Sequence, residues 1–172
     1  MTLHSSLKAV LVSSLLAAAA FAADPKDDHK FVEEAAGGGL AEVRLGQLAV
    51  DRSTDSSVRD FAQMMITDHS KANDELKGLV EGRAVTVPAD LPQAEQKTWD
   101  DLNKLSADKF DKEYVNLMVD DHKKDVKLFE KEAKHGDDAT LKAWAARTLP
   151  TLQHNLEMAQ SLQKTMKKTA SR

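Results

Sequence analysis

Two segments of the chain carry the same pattern of side chains, and this repeat constrains the fold more than any other feature. An aromatic residue is followed four positions later by methionine, and an Asp-His pair comes three and four positions after that. The pattern occurs at Phe61–His69 and again at Tyr114–His122. Residues spaced by four share one face of a helix. The repeat therefore predicts two equivalent amphipathic helices in a duplicated helical unit.

The face that carries each histidine is otherwise apolar. Beyond His69 and His122 the same spacing brings further apolar side chains onto it, namely Ala72, Leu76, Val126 and Phe129. Each histidine therefore interrupts a stripe that the fold is expected to bury. Asp68 and Asp121 lie about 100° further round the helix, at the edge of that stripe.

Capping and helix-breaking residues predict an all-α fold with four long helices, A to D, and one short helix. Helix A runs from Asp27 or Asp28 to about Val50, and helix B from Thr54 or Asp55 to about Glu81. The short helix runs from Pro92 to Leu105. Helix C runs from about Asp108 to Lys134, and helix D from Asp137 or Asp138 to about Lys167. No segment alternates as a strand would. Three short connections and a longer one between helices B and C favour an antiparallel four-helix bundle.

Three local features of these helices need an explanation. Gly37-Gly38-Gly39 lies inside helix A, where each glycine costs ~1 kcal/mol against alanine. Either the helix breaks there, or another backbone or a ligand comes close. Pro150 predicts a kink or a split near Leu149, and Gly136 is expected to end helix C in the left-handed conformation.

Residues 1–22 have the pattern of a cleaved signal peptide. Lys8 supplies a positive charge, an apolar run follows, and Ala20 and Ala22 occupy the small-residue positions before the cleavage site. Cleavage after Ala23 fits equally well. An uncleaved anchor is the alternative, but the run is shorter than the ~20 apolar residues of a membrane span. We expect a periplasmic or secreted protein with no transmembrane segment in its mature chain.

Composition excludes several classes of protein for the single domain expected at residues 23–172. The chain has no cysteine, which excludes disulfides, thiol catalysis and cysteine-ligated metals. Its formal net charge of −4 gives no basic surface for nucleic acid. Nucleophile-elbow, phosphate-loop and His-Glu-x-x-His motifs are absent from the sequence. An enzymatic function is therefore not expected.

Glu42, His69 and His122 are candidate metal ligands. Glu42 lies in a stripe of small residues, where a buried carboxylate needs a partner. Imidazole suits zinc, copper or iron. The thioethers of Met65 and Met118 would favour copper, and Asp68 and Asp121 could accept the other ring N–H of each histidine. The alternative is that both histidines are core residues held by carboxylates of neighbouring helices, with the methionines as packing.

The ligand set of a di-iron oxidase is missing. Such bundles place a Glu-x-x-His pair on each of two helices. The residues three positions before the candidate histidines are Ile66, Val119 and Thr151.

Several segments resemble the exported bacterial family known as domain of unknown function 4142, over about residues 29–163. They are Phe31-Val-Glu-Glu-Ala-Ala, Gly39-Leu-Ala-Glu42-Val, the two Asp-His repeats, and Thr148-Leu-Pro-Thr-Leu152 with His154. The resemblance implies a ferritin-like four-helix bundle without an established activity, and suggests a role in envelope or stress homeostasis. It also implies one ligand-type residue per long helix, adding His154 to the three candidates. Helical phase disagrees for His154, which lies off the face defined by Leu152 and Leu156.

Two functions follow from these patterns. The first is an exported bundle that binds a transition metal in its core. The second is a structural or protein-interaction module of the cell envelope, whose buried polar residues only fix the register of the helices. Its partner would be a second copy of the chain or another envelope protein.

Overall fold

The computed structural model describes residues 26–169, with side chains from residue 28 onward. The predicted signal peptide lies outside the described residues. Within them the chain forms five helices and no strand, which confirms the all-α prediction. The helices are α1 (Lys26–Arg52), α2 (Ser56–Val80), α3 (Gln93–Asn103), α4 (Ala107–His135) and α5 (Ala139–Thr169). None of these helices is both long and apolar enough to cross a membrane.

Two of the predicted caps begin helices, whereas α1 begins at Lys26, so the predicted start at Asp27 or Asp28 is wrong. The Asp55 side chain accepts a hydrogen bond from the Ser57 amide at 2.8 Å, and Asp138 accepts from the amides of Thr140 and Leu141. Gly136 ends α4, but its φ of −56° is not left-handed, so that expectation is wrong. The glycine provides space instead, because an added Cβ would collide with the side chain and carbonyl of Glu132.

The four long helices pack in pairs. The helix α1 packs along α2, and α4 packs along α5. Contacts of α1 with α4 and of α2 with α5 join the two pairs into a helical bundle. The short helix α3 lies outside, against α1 and α4.

The glycines of α1 allow neighbouring elements to approach it closely. The helix is unbroken through Gly37–Gly39, so a break is excluded. A Cβ on Gly39 would overlap the Asn73 side chain of α2, and a Cβ on Gly37 would lie 3.2 Å from Pro92. Close packing therefore accounts for Gly39 and Gly37, whereas a Cβ on Gly38 would meet only an ordinary contact, 3.9 Å from Asp125. The predicted split at Pro150 is also absent, because α5 continues as one helix through this residue.

The apolar core is divided into two clusters. One, here called the Tyr114 cluster, includes Leu45, Phe61, Met65, Tyr114, Met118 and Ala159. The other, the Trp144 cluster, includes Phe31, Ala36, Leu76, Phe129, Trp144 and Leu152. On α2 and α4 the candidate histidines lie in sequence between members of the two clusters, whereas Glu42 on α1 lies between Ala41 and Leu45 of the Tyr114 cluster.

Candidate metal centre

Three of the predicted site residues meet inside the bundle. Glu42 comes from α1, His69 from α2 and His122 from α4, and their exposed fractions are 2%, 4% and 0%. One ligand atom from each residue lies within 4.8 Å of the other two. The helical periodicity of each segment accounts for this convergence, because it directs all three side chains to the buried face.

The two imidazole rings contact Glu42, each other and a backbone carbonyl. Nδ1 of His69 lies 2.8 Å from Oε2 of Glu42, and Nδ1 of His122 lies 3.1 Å from Oε1. The two Nε2 atoms are 3.4 Å apart, with the rings nearly perpendicular at 87°. Nδ1 of His122 is also 3.0 Å from the carbonyl oxygen of Met118, one turn earlier on α4.

Two neutral imidazoles carry too few N–H hydrogens for all of these contacts when Glu42 is ionised. A carbonyl or a carboxylate oxygen only accepts, so the Met118–His122, His122–His69 and His69–Glu42 contacts each need a hydrogen or a cation between their atoms. Two neutral imidazoles carry one N–H each. When Glu42 is ionised, one contact is left with two electron-rich atoms facing each other, whichever tautomers are present. A proton on Glu42 or a bound cation would remove that repulsion.

Burial favours the neutral forms of all three groups. Removal from water raises the pKa of the Glu42 carboxyl to about 7, an effect that the nearby His122 opposes. Burial also lowers the pKa of both His69 and His122, while the carboxylates of Asp125 and Glu42 partly oppose the shifts. Neutral imidazoles keep the lone pairs that a metal requires.

Sequence reasoning missed Asp125, which lies three residues after His122 on α4. Burial and the charge of Glu42 raise the pKa of Asp125 well above its usual range. Its Oδ1 lies 3.9 Å from where a Cβ on Gly38 would stand. The three-residue spacing from His122 was the available signal, because it places Asp125 on the same side of the helix.

Among the described residues, the side chains of Asp68, Asp121, Met65 and Met118 make no hydrogen bond or ion pair with an imidazole nitrogen, although the backbone carbonyl of Met118 contacts Nδ1 of His122. Asp121 instead accepts a hydrogen bond from Lys124 Nζ at 2.8 Å. It and Asp68 affect the histidines through charge alone, each opposing the lowering of a histidine pKa. Met65 and Met118 are fully buried in the Tyr114 cluster.

His154 is exposed and lies outside the group formed by Glu42, His69 and His122. This position agrees with its helical phase, which sets it off the Leu152 face. The side chain that α5 buries at this level is the next one, Asn155, whose exposed fraction is 0%. An amide within a leucine stripe gave no signal of its own in the sequence.

An acidic cavity leads to Glu42 from the surface between α1, α3 and α4. Its volume is about 520 Å³. The carboxylates that line it belong to Glu34, Glu42, Glu95, Asp121 and Asp125. Lys124, the one cationic residue in the described lining, is bound to Asp121. The cavity gives a small cation a route to an otherwise buried carboxylate.

Comparisons with known proteins define the family and the fold. A DUF305 fragment from Deinococcus radiodurans superposes with a TM-score of 0.71 at 11% identity, over 83% of this chain and 98% of that one. A candidate secreted DUF305 protein from Streptomyces coelicolor gives 0.68 at 17% identity, over 82% and 92%. These low identities show a shared fold and nothing more.

A search of curated proteins found no match. Residues 14–162, by contrast, match the sequence profile of the domain of unknown function DUF4142. That match spans most of the sequence, and the chain therefore belongs to the DUF4142 family.

Proposed function

We propose that this protein is an exported, ferritin-like four-helix bundle that binds one transition-metal ion through Glu42, His69 and His122. The observation that carries the proposal is the convergence of three buried ligand-type side chains from three helices, with one ligand atom of each within 4.8 Å of the other two. A metal ion would bind all three and use the lone pairs that burial of the imidazoles preserves.

The spacing of the side chains is compatible with coordination. Metal bonds of ~2.1 Å at tetrahedral or octahedral angles place ligand atoms about 3.0 to 3.4 Å apart. The three ligand atoms lie within 4.8 Å of one another, so closure around an ion needs rotations of the side chains, without a change in the helices. His122 offers Nε2, since its Nδ1 contacts the Met118 carbonyl.

The donor set indicates the class of metal. Two imidazoles and a carboxylate suit zinc, copper and iron, whereas calcium and magnesium prefer sites made of oxygen alone. The absence of Glu-x-x-His pairs on α2 and α4 supports binding without oxidase chemistry. Handling of metal in the cell envelope, including under stress, fits such a site.

Export rests on the pattern of residues 1–22, which has the charge, apolar run and small residues of a signal peptide. The candidate secreted protein among the structural neighbours fits the same location.

A structural role is the second candidate, and one observation favours it. Because burial raises the pKa of Glu42 to about 7, the carboxyl binds a proton near neutrality. That proton would give the contacts among Glu42, His69 and His122 a third hydrogen and leave a polar layer that only fixes helix register.

Metal analysis and thermal unfolding distinguish the two functions. The untagged chain would be titrated with zinc, copper, iron and manganese, beside His69→Ala and a matched control, the exposed His154→Ala. We expect one metal per chain and a higher melting temperature for wild type and for His154→Ala, because a ligand that binds only the folded state stabilises it. His69→Ala should show neither effect. Failure of all four metals to bind or to stabilise the wild type would overturn the metal function.

A further inference from the structure

The helix α5 contributes a polar side chain that has no partner. Asn155 is fully buried, and among residues 26–169 neither its side-chain oxygen nor its nitrogen has a hydrogen-bond partner. Native proteins pair nearly all such groups, because an unpaired buried amide is costly. We therefore expect this side chain to have a partner that is not among the described residues.

Asn155 occupies the same position relative to the two core clusters as the candidate histidines do. On α2, α4 and α5, one buried polar residue separates members of the Trp144 cluster from members of the Tyr114 cluster: His69 between Leu76 and Met65, His122 between Phe129 and Met118, and Asn155 between Leu152 and Ala159. On α1, Glu42 follows Ala36 of the Trp144 cluster and lies between Ala41 and Leu45 of the Tyr114 cluster. Each of the four helices thus supplies one buried polar residue near the boundary between the clusters.

We propose that Asn155 is the fourth binding residue of the metal site and that its amide oxygen ligates the ion. This inference rests on the proposed metal function. Ligation of the ion by Asn155 would explain why this fully buried amide is unpaired in the described structure. A neutral amide oxygen is a weaker and harder donor than imidazole. Asn155 therefore keeps the affinity for zinc and copper below that of a site with a third histidine.

Two substitutions test this assignment in opposite directions. Asn155→Leu removes the donor while keeping a side chain of similar size, and Asn155→His replaces it with imidazole. We expect Asn155→Leu to weaken zinc binding about tenfold and Asn155→His to tighten it about tenfold, each measured by competition against a chromogenic zinc chelator. His154→Ala, at the exposed neighbouring position, should bind zinc as the wild type does.

The melting temperatures of the metal-free proteins distinguish the effect of Asn155 on metal binding from its effect on packing of the core. Asn155→Leu should melt higher than wild type without metal and gain less from added zinc. Equal zinc affinities for wild type, Asn155→Leu and Asn155→His would overturn the assignment of Asn155 while leaving the three-residue site intact. A wild type that binds no zinc, copper, iron or manganese would instead overturn the metal function itself.

Discussion

At the residue scale, burial determines the charge of the central cluster. Glu42 lies beside two histidines, an arrangement that on a surface would be an ordinary ion pair. In the core, loss of hydration favours the neutral carboxyl and the neutral imidazoles, as the directions of their pKa shifts show. Glu42 therefore keeps its proton more readily than an exposed carboxyl does, and both imidazoles keep their lone pairs.

A second buried carboxyl, Glu132, gives a test of pH dependence away from the site. Burial raises its pKa from 4.5 to about 7, and the negative charges of Asp28 and Asp138 add to the shift. Because Glu132 ionises less readily in the folded state than in the unfolded state, its ionisation destabilises the fold. This destabilisation is absent below pH 4.5, grows as the pH rises to about 7, and is constant above that.

Glu132→Gln should remove this pH-dependent destabilisation. We expect its free energy of unfolding to equal that of wild type near pH 4 and to exceed it by about 1 kcal/mol at pH 8, given ~1.4 kcal/mol per pKa unit and partial screening by solvent. Urea unfolding at the two pH values measures the difference. The exposed Glu113→Gln on the same helix is the control, and an equal gain at both pH values would contradict the interpretation.

At the element scale, close packing of α1 on α2 depends on Gly46. A Cβ there would lie 2.9 Å from the Ile66 side chain and 3.1 Å from the carbonyl oxygen of Ala62, which is backbone and cannot rotate away. Gly78, in α2, has no atom within 4 Å of such a Cβ.

The two glycine-to-alanine substitutions should therefore have opposite effects on stability. Gly46→Ala is expected to destabilise the fold by about 1–3 kcal/mol, because overpacking outweighs the gain in helix propensity. Gly78→Ala should stabilise it by about 0.5–1 kcal/mol. Chemical denaturation measures both, and a stabilising Gly46→Ala would show that α2 shifts freely along α1.

The elements were largely predictable from local chemistry, and the site was predictable in part. Asp55 and Asp138 cap helices where the sequence indicated, and a four-residue periodicity directed His69 and His122 inward. That periodicity says nothing about which side chain α5 contributes. Family resemblance suggested His154, whereas burial of the amide at Asn155 becomes visible only once the helices are packed. Gly136 was misassigned because its requirement is space, which depends on a contact with Glu132.

At the scale of the whole molecule, Asp28 ties together the end of the bundle beyond the Trp144 cluster. Its two carboxylate oxygens accept the amides of Asp137 and Asp138, at 3.2 and 2.7 Å, so the start of α1 holds the turn between α4 and α5. Asp138 in turn pairs with Arg83 at 2.8 Å in the connection after α2.

Asp28→Ala should weaken that end of the molecule without altering the proposed metal site. We expect a loss of about 1–3 kcal/mol in the free energy of unfolding, because two hydrogen bonds to a charged group are removed. Zinc affinity should stay at the wild-type value. The exposed Asp60→Ala is the control for loss of a surface charge, and an equal loss in that variant would show that the hydrogen bonds contribute nothing.

The division of the core into the Tyr114 and Trp144 clusters has a consequence for cooperativity. A polar layer holds two apolar clusters together less firmly than continuous packing would, so each cluster can open locally as its own cooperative unit. The proposed ion, bound by residues from several helices, would join the two clusters. Amide hydrogen exchange should then show two opening free energies in the metal-free protein and a single global one in the metal-bound protein.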